Sequence, residues 1–181
     1  YRDSSPVLVI AGNEERALIG REVWHEMPEI EVFRSVTHYC ERVEREDEFP
    51  RMLESAIRAA TTGRPGPALL SVPKDIWDSR ITPMRSRVLP ATLPRPDDAA
   101  VRAAAQMVSS AHRPLIVAGG GVNRGRGREE VQALCENWQL PLVTSPNGRG
   151  ALPEDHPLCL GHAGRFGQRQ ASAALAEADL L

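Results

Sequence analysis

Apolar residues follow two rhythms along this chain: short unbroken runs, and stripes that return at steps of three and one. Val7-Leu8-Val9-Ile10 is such a run and is followed by Ala11-Gly12-Asn13, so it predicts a strand ending in a turn, apolar on both faces as in a central strand of a parallel sheet. From Phe49 the stripe Phe49, Met52, Leu53, Ala56, Ile57, Ala60 predicts a helix ending near Thr62-Gly63. Gly63 can adopt the left-handed conformation that closes a helix, and Pro65 and Pro67 fix φ and withhold N–H groups, so the chain turns before it re-enters as a strand. That strand is Ala68 to Val72, ended by Pro73. Between the first strand and this helix, Val32, Phe33, Val36 and Val43 show no clean period, which predicts a short strand or turn plus loop.

The second half repeats the alternation. Asp97 or Asp98 can cap a helix striped by Val101, Ala104, Ala105 and Val108, and Pro114 to Ala118 follows as a strand running into Gly119-Gly120-Gly121. A further helix carries Val131, Leu134, Cys135 and Trp138 on one side, and Pro141-Leu142-Val143-Thr144 is the next strand. The turn Asn147-Gly148-Arg149-Gly150 and the loop Pro153 to Pro157 lead to Gly164-Arg165-Phe166-Gly167 and a helix from Gln168 to Ala176. Such alternation predicts an α/β fold of parallel sheets with flanking helices. Between the halves, Pro83, Pro90, Pro94 and Pro96 stand among basic residues without a period, as in an ordered interdomain connector. The expected division is therefore 1–79, a linker 80–97, and 98–181.

Composition narrows the class without choosing a function. The 181 residues are 41% hydrophobic and 25% charged, ordinary for a globular protein that buries a core. A formal charge of −2, with no long block of either sign, gives no electrostatic case for nucleic acid or an anionic membrane. No apolar run approaches the roughly 20 residues that span a bilayer, so the expectation is a soluble cytoplasmic protein. Cys40, Cys135 and Cys159 are odd in number and far apart, which predicts reduced thiols rather than a disulfide framework or metal ligands. The opening on Tyr1 and the close on Ala178-Asp179-Leu180-Leu181, which has the texture of a new strand, read as an internal piece of a longer polypeptide.

Candidate chemistry is sparse. The glycines after the Pro114 to Ala118 strand suit a phosphate or nucleotide, since bare backbone can approach an anion at a helix start, but they suit a plain tight turn equally. The G-x-G-x-x-G spacing fails in register, because Arg124 takes the last position. Arg124, Arg126 and Arg128 would favour an anion if turned inward, and beside Glu129 and Glu130 they otherwise form an exposed cluster. His25, His38, His112, His156 and His162 make no short metal spacing, and no serine or cysteine sits in a nucleophile context. Glu26 and Glu29, or Asp155 beside His156, could serve as acid and base, and otherwise are expected to be surface carboxylates. No catalytic or metal residue is assigned.

The wording of several segments carries more. Ser5 to Gly12, Phe33-Arg34-Ser35-Val36-Thr37-His38, and above all Gly63-Arg64-Pro65-Gly66-Pro67 running to Pro73-Lys74-Asp75 resemble the acetolactate synthase large-subunit family of thiamine diphosphate enzymes. Arg113-Pro114 to Gly121, Gly148-Arg149-Gly150 to His156-Pro157, and Gly164 to Gly167 are similar to that family's central domain. The resemblance implies that 1–79 is the later part of a pyrimidine-binding domain and 98–181 the start of a Rossmann-like central domain. It implies a 2-oxo acid decarboxylase or carboligase, homodimeric or homotetrameric, in which a thiazolium ylid attacks the 2-oxo acid and carbon dioxide leaves. Thiamine diphosphate and Mg²⁺ would be held by segments outside this chain, leaving the piece alone inactive.

In flavin-containing members the central domain binds FAD, and the matching positions here are Gly119, Gly120, Gly121, Ser145, Pro146, Asn147, Gly164, Arg165, Phe166 and Gly167. Pro146 and Asn147 replace apolar contacts, while Phe166 could stack and Arg165 pair with a phosphate. His38 stands where lysine is usual and Trp24-His25 where Phe-Gln is usual, which implies a different active-site entrance and another acceptor. The competing readings are a nucleotide-binding module for FAD, ADP or NAD, and a non-catalytic homologue.

Overall fold

The computed structural model describes residues 1–81 and 95–181, and the expected linker residues Pro83, Pro90 and Pro94 lie outside them. The chain divides into two compact units, Tyr1–Leu93 and Pro94–Leu181.

In the first unit β1 (Leu8–Asn13), α1 (Glu29–Phe33), β2 (Tyr39–Arg42), α2 (Phe49–Thr61), β3 (Ala68–Pro73) and α3 (Lys74–Trp77) build a parallel three-stranded sheet in the order β1-β3-β2. The apolar stripe decides how α2 sits: Met52, Ala56 and Ala60 are buried, against Val43, Leu70, Val72 and Ala68. Pro50 occupies the first turn, where its missing N–H costs nothing, and Gly63 at φ +66° follows the helix end. All six residues of β3 are buried, as a strand flanked by two others and covered on both faces requires. The opposite face is covered by α1, through Ile30 and Phe33 on Cys40 and Leu69.

Four expectations change here. Among the described strands β1 lies at an edge and β3 takes the central place, because β3 pairs with both β1 and β2, and the side chains of β1 stay partly or fully exposed. The strand predicted at Val7 to Ile10 runs on to Asn13, because Ala11, Gly12 and Asn13 continue its ladder with Ser71, Val72 and Pro73. The aperiodic stretch 30–43 is a one-turn helix, a 3₁₀ turn and β2; each is too short to display a period. Glu29 is buried rather than a surface carboxylate, because Asn13 and Ser71 give it interior hydrogen-bond donors.

The second unit contains α4 (Asp98–Ser110), β4 (Ile116–Ala118), α5 (Gly120–Gly125), α6 (Arg128–Trp138), β5 (Leu142–Thr144), β6 (Cys159–His162) and α7 (Arg169–Glu177). Asp97 caps α4 by accepting the N–H of Ala100 at 2.9 Å, although the predicted stripe of that helix stays largely exposed. Strands β4, β5 and β6 are parallel in that order. Cys135 of α6 packs with Ala118, Leu142, Ala151 and Leu152 on one face, and Ala171 of α7 packs with Leu115 and Val143 on the other. Strand β6 escaped the sequence reading: Gly161, at φ +88°, interrupts it and shifts its register against β5.

Leu180 forms a parallel bridge with Pro114. The N–H of Leu115 donates to Leu180 O and that of Ile116 to Pro141 O, each at 3.0 Å. Successive N–H groups of a strand point to opposite sides, so the Leu180 segment lies beside β4 on the side away from β5. The order of parallel segments therefore reverses at β4, and in open α/β sheets such a reversal opens a crevice beyond the carboxyl ends of the strands.

Candidate functional site

The candidate nucleotide residues all follow the carboxyl ends of strands in the second unit. Gly119 leaves β4, and Gly120 and Gly121 begin α5. The N–H of Ser145, next after β5, donates to Ala118 O at 2.9 Å, and Pro146–Gly148 forms a 3₁₀ turn against the glycines. Asn123 ties the two turns together, its Nδ2 donating to Asn147 O at 3.1 Å and to Arg149 O at 2.9 Å. Gly164 to Gly167 follow β6, joined to β5 through the Ala163 N–H bond to Thr144 O at 2.9 Å and closed by Gly167 N–H on Gly164 O at 2.8 Å.

Substituting imagined methyl groups separates the packing glycines from the open ones. A Cβ on Gly148 would lie 2.1 Å from Ala118 O, one on Gly167 2.4 Å from His162 O, and one on Gly120 3.1 Å from Asn147 Cβ. These three glycines let backbone segments meet. At Gly121 and Gly164 a Cβ would touch nothing within 4 Å, so the backbone there faces open space. Beside it Phe166 is 85% exposed, with the Arg165 guanidinium 5.7 Å from its ring centroid. An exposed ring for a flat heterocycle, a cation and bare backbone at a strand end fit a nucleotide's chemistry. The six residues of α5 are too few to supply a strong helix dipole.

Next to these turns a polar cavity of about 110 Å³ is lined by Thr144, Arg149, Cys159, His162 and Gln168. His162 Nδ1 is buried there without a hydrogen-bond partner, while the backbone N–H of His162 donates to Gln168 Oε1 at 2.7 Å. Nothing in the sequence singled His162 out, because the bulge at Gly161 that orients it depends on register. Among the described residues, no three His, Cys, Asp or Glu side chains gather as a metal site.

The carboxyl edge of the first sheet holds a second polar group. Asn13 Nδ2 and Ser71 Oγ both donate to Glu29 Oε1 at 2.5 Å, and Arg42 Nη2 lies 3.7 Å from the same oxygen. The loop after β1 is pinned to this edge by Arg16, whose N–H and Nε donate to Asp75 at 3.1 and 2.6 Å and whose Nη1 donates to Glu44 O at 2.8 Å. That loop carries Trp24, 81% exposed, with its ring centroid 5.4 Å from that of His25. His38 is elsewhere: it precedes β2 at the opposite edge, packed where a Cβ on Gly66 would fall and edge-on to Tyr1 at 5.5 Å. The residues expected to share one entrance thus lie at the two ends of a parallel sheet, because one follows a strand and the other precedes one.

Comparison with known proteins finds relatives along the whole chain. The family model "Thiamine pyrophosphate enzyme, central domain" matches residues 101–181. Over 188 residues the chain is 36% identical to the probable acetolactate synthase large subunit of Methanocaldococcus jannaschii, covering 100% of this chain and 32% of that protein. It is 37% identical over 184 residues to an acetolactate synthase of Mycobacterium bovis, covering 99% and 30%. To the large subunit of acetolactate synthase isozyme 1 of Escherichia coli it is 34% identical over 181 residues, covering 99% and 32%. The chain spans about a third of the length of these curated relatives.

Proposed function

We propose, from the premise that this chain belongs to the acetolactate synthase-like thiamine pyrophosphate enzymes, that it is the scaffold of a 2-oxo acid decarboxylase or carboligase and holds a nucleotide cofactor, FAD, in its second unit. On this reading residues 1–79 are the later part of the pyrimidine-binding domain and 98–181 the start of the central domain. Thiamine diphosphate supplies the electron sink for loss of carbon dioxide. It and Mg²⁺ are held by other segments of the whole enzyme, a homodimer or homotetramer in the cytoplasm.

The observation that carries the nucleotide reading is the packing of the Gly119–Gly121 turn, at the carboxyl end of the strand where the order reverses, against the 145–148 turn. The open backbone at Gly121 and Gly164 would hold a diphosphate, Arg165 would pair with it, and Phe166 would stack on a ring. Gly119, Gly120, Ser145, Pro146, Asn147 and Gly167 shape the crevice by packing.

Purification of the whole enzyme tests both parts. Bound flavin should be released on denaturation, and Phe166→Ala should lower flavin retention without changing the melting temperature of the flavin-free protein. With thiamine diphosphate and Mg²⁺ added, carbon dioxide should be released from a 2-oxo acid. Flavin without carbon dioxide release would leave only a nucleotide-binding module, and neither would mark a non-catalytic homologue. The 181 residues alone should neither bind thiamine diphosphate by calorimetry nor turn over pyruvate.

A further inference from the structure

Cys135 and Cys159, both free thiols, reach the same face of the second sheet. Strands β5 and β6 set Cys159 opposite Leu142, and residues opposite one another on neighbouring strands point to one face. Leu142 packs with Cys135, Ala118, Ala151 and Leu152 beneath α6, and Cys159 packs against that cluster. Val143 and Leu160, one residue further along each strand, turn to the other face with Ala171. Helix α6 thus lays one thiol over the ground that β6 fills with the other. Ala118 and Ala151 are the short side chains between them and let the helix lie low on the sheet.

The two thiols meet different surroundings. Cys135 is fully enclosed. Cys159 is half-buried and borders the polar cavity of about 110 Å³, whose other walls include Thr144, Arg149, His162 and Gln168. A water needs roughly 10–15 Å³ of such space, so the cavity admits a molecule as small as hydrogen peroxide. An oxidant can therefore reach Cys159 on its polar side, while its apolar side meets a second thiol. Access together with a resolving thiol close by is what reversible cysteine oxidation requires.

We propose that Cys159 and Cys135 are a hydroperoxide-sensitive pair, in which Cys159 is oxidised from the cavity and Cys135 closes a disulfide that fastens α6 to β6. The Cys159 thiolate attacks one oxygen of the peroxide, the O–O bond breaks, and the sulfur becomes a sulfenic acid while hydroxide leaves and is protonated to water. The Cys135 sulfur then attacks the sulfenic sulfur, the S–O bond breaks, and the Cys135 proton departs with the oxygen as a second water. Two thiols lose two electrons, and one peroxide gains them. Burial first, and the neighbouring Cys159 after it, hold Cys135 protonated, so the second step is the slower one and the sulfenic acid lives long enough to be trapped. The link ties α6 to the strand that leads into Gly164–Gly167. It is independent of what the nucleotide crevice holds.

Peptide mapping of the whole enzyme without reductant, after a brief exposure to hydrogen peroxide stopped with catalase, tests the pair. A linked peptide containing Cys135 and Cys159 should appear, about 2 Da lighter than its two reduced parts, and dithiothreitol should remove it. Cys40, buried in the other unit, should stay reduced. With dimedone present during oxidation, the adduct should fall on Cys159 and not on Cys135. Cys135→Ala, which adds one more alanine to the cluster, should abolish the linked peptide and increase the Cys159 adduct. Cys159→Ser should abolish both. The wild-type map decides the matter even where a variant fails to fold. Conversion of Cys159 to sulfinic acid with no linked peptide, dimedone on Cys135 first, or a link that forms only in urea would overturn the proposal.

Discussion

Ser71 of β3 and Glu29 of α1 meet inside the first unit, where the serine hydroxyl donates to Glu29 Oε1 at 2.5 Å. This bond joins the central strand to a helix of only five residues, too short to stand by propensity. Ser71→Ala leaves the carboxylate with Asn13 and the distant Arg42, and should cost about 1–2 kcal/mol. Glu29→Ala removes the acceptor of two side chains and the counter-charge of a third, and should cost about 3–5 kcal/mol. Urea midpoints give both values. The order would be reversed if Glu29 were a tolerated surface carboxylate.

The glycines of the second unit divide by what a methyl group would meet. Gly148→Ala drives a Cβ to 2.1 Å from Ala118 O, which is backbone and cannot swing aside. It should cost about 1–3 kcal/mol. Gly121→Ala meets open space inside a helix, where alanine is favoured over glycine by about 1 kcal/mol, so the melting temperature should hold or rise. Gly121→Val should weaken ADP binding at unchanged melting temperature if the open backbone faces a diphosphate; equal losses of stability in all three variants would refute the division.

Legibility in the sequence followed element length and reach. Helix α2 and strand β3 could be read because a stripe and a full apolar run are local patterns, and α7 was found within a residue at each end. Strand β6 could not, since Gly161 breaks its alternation and its pairing with β5 is settled across the sheet. Helix α5 hid for a similar reason: its glycines and asparagine are poor helix formers, held by Asn123 to the neighbouring turn. Of the candidate site, the strand-end glycines were visible as composition. Which of them pack and which lie open depends on Ala118 and Asn147, residues distant in sequence from those they contact. The carboxylate network of Glu29 was invisible, as a glutamate becomes an interior residue only when partners such as Asn13 and Ser71 converge on it.

Asp179 gives a dependence on acidity. Its carboxylate accepts the N–H groups of Arg113 and His112, each at 2.8 Å, and these bonds hold its pKa below the ordinary value. A depressed folded value means that the stabilisation is complete above the unfolded pKa of about 3.9 and drains away as pH falls through the lower folded value. Asp179→Asn should flatten that part of the acid limb while leaving the curve above about pH 5 parallel to the wild type. Urea midpoints collected across the acid range decide it, and an unchanged limb would assign the loss to other carboxylates.

The three thiols should differ sharply in reactivity. Burial pushes the Cys135 thiol up, with the neighbouring Cys159 adding to the shift, so little thiolate forms at neutral pH. Cys40 is buried as well and donates its S–H to Ile30 O at 3.6 Å. Cys159 is only half-buried and borders the polar cavity of His162, where reagent can enter. Iodoacetamide followed by peptide mass spectrometry should therefore label Cys159 first, with Cys40 and Cys135 modified only as their units open. Moderate urea should then speed Cys135 far more than Cys159, because its reaction depends on unfolding of the α6 core rather than on access to a cavity. Equal native labelling of Cys135 and Cys159 would mean that the cluster of Cys135 with Ala118, Leu142 and Leu152 is not closed in solution.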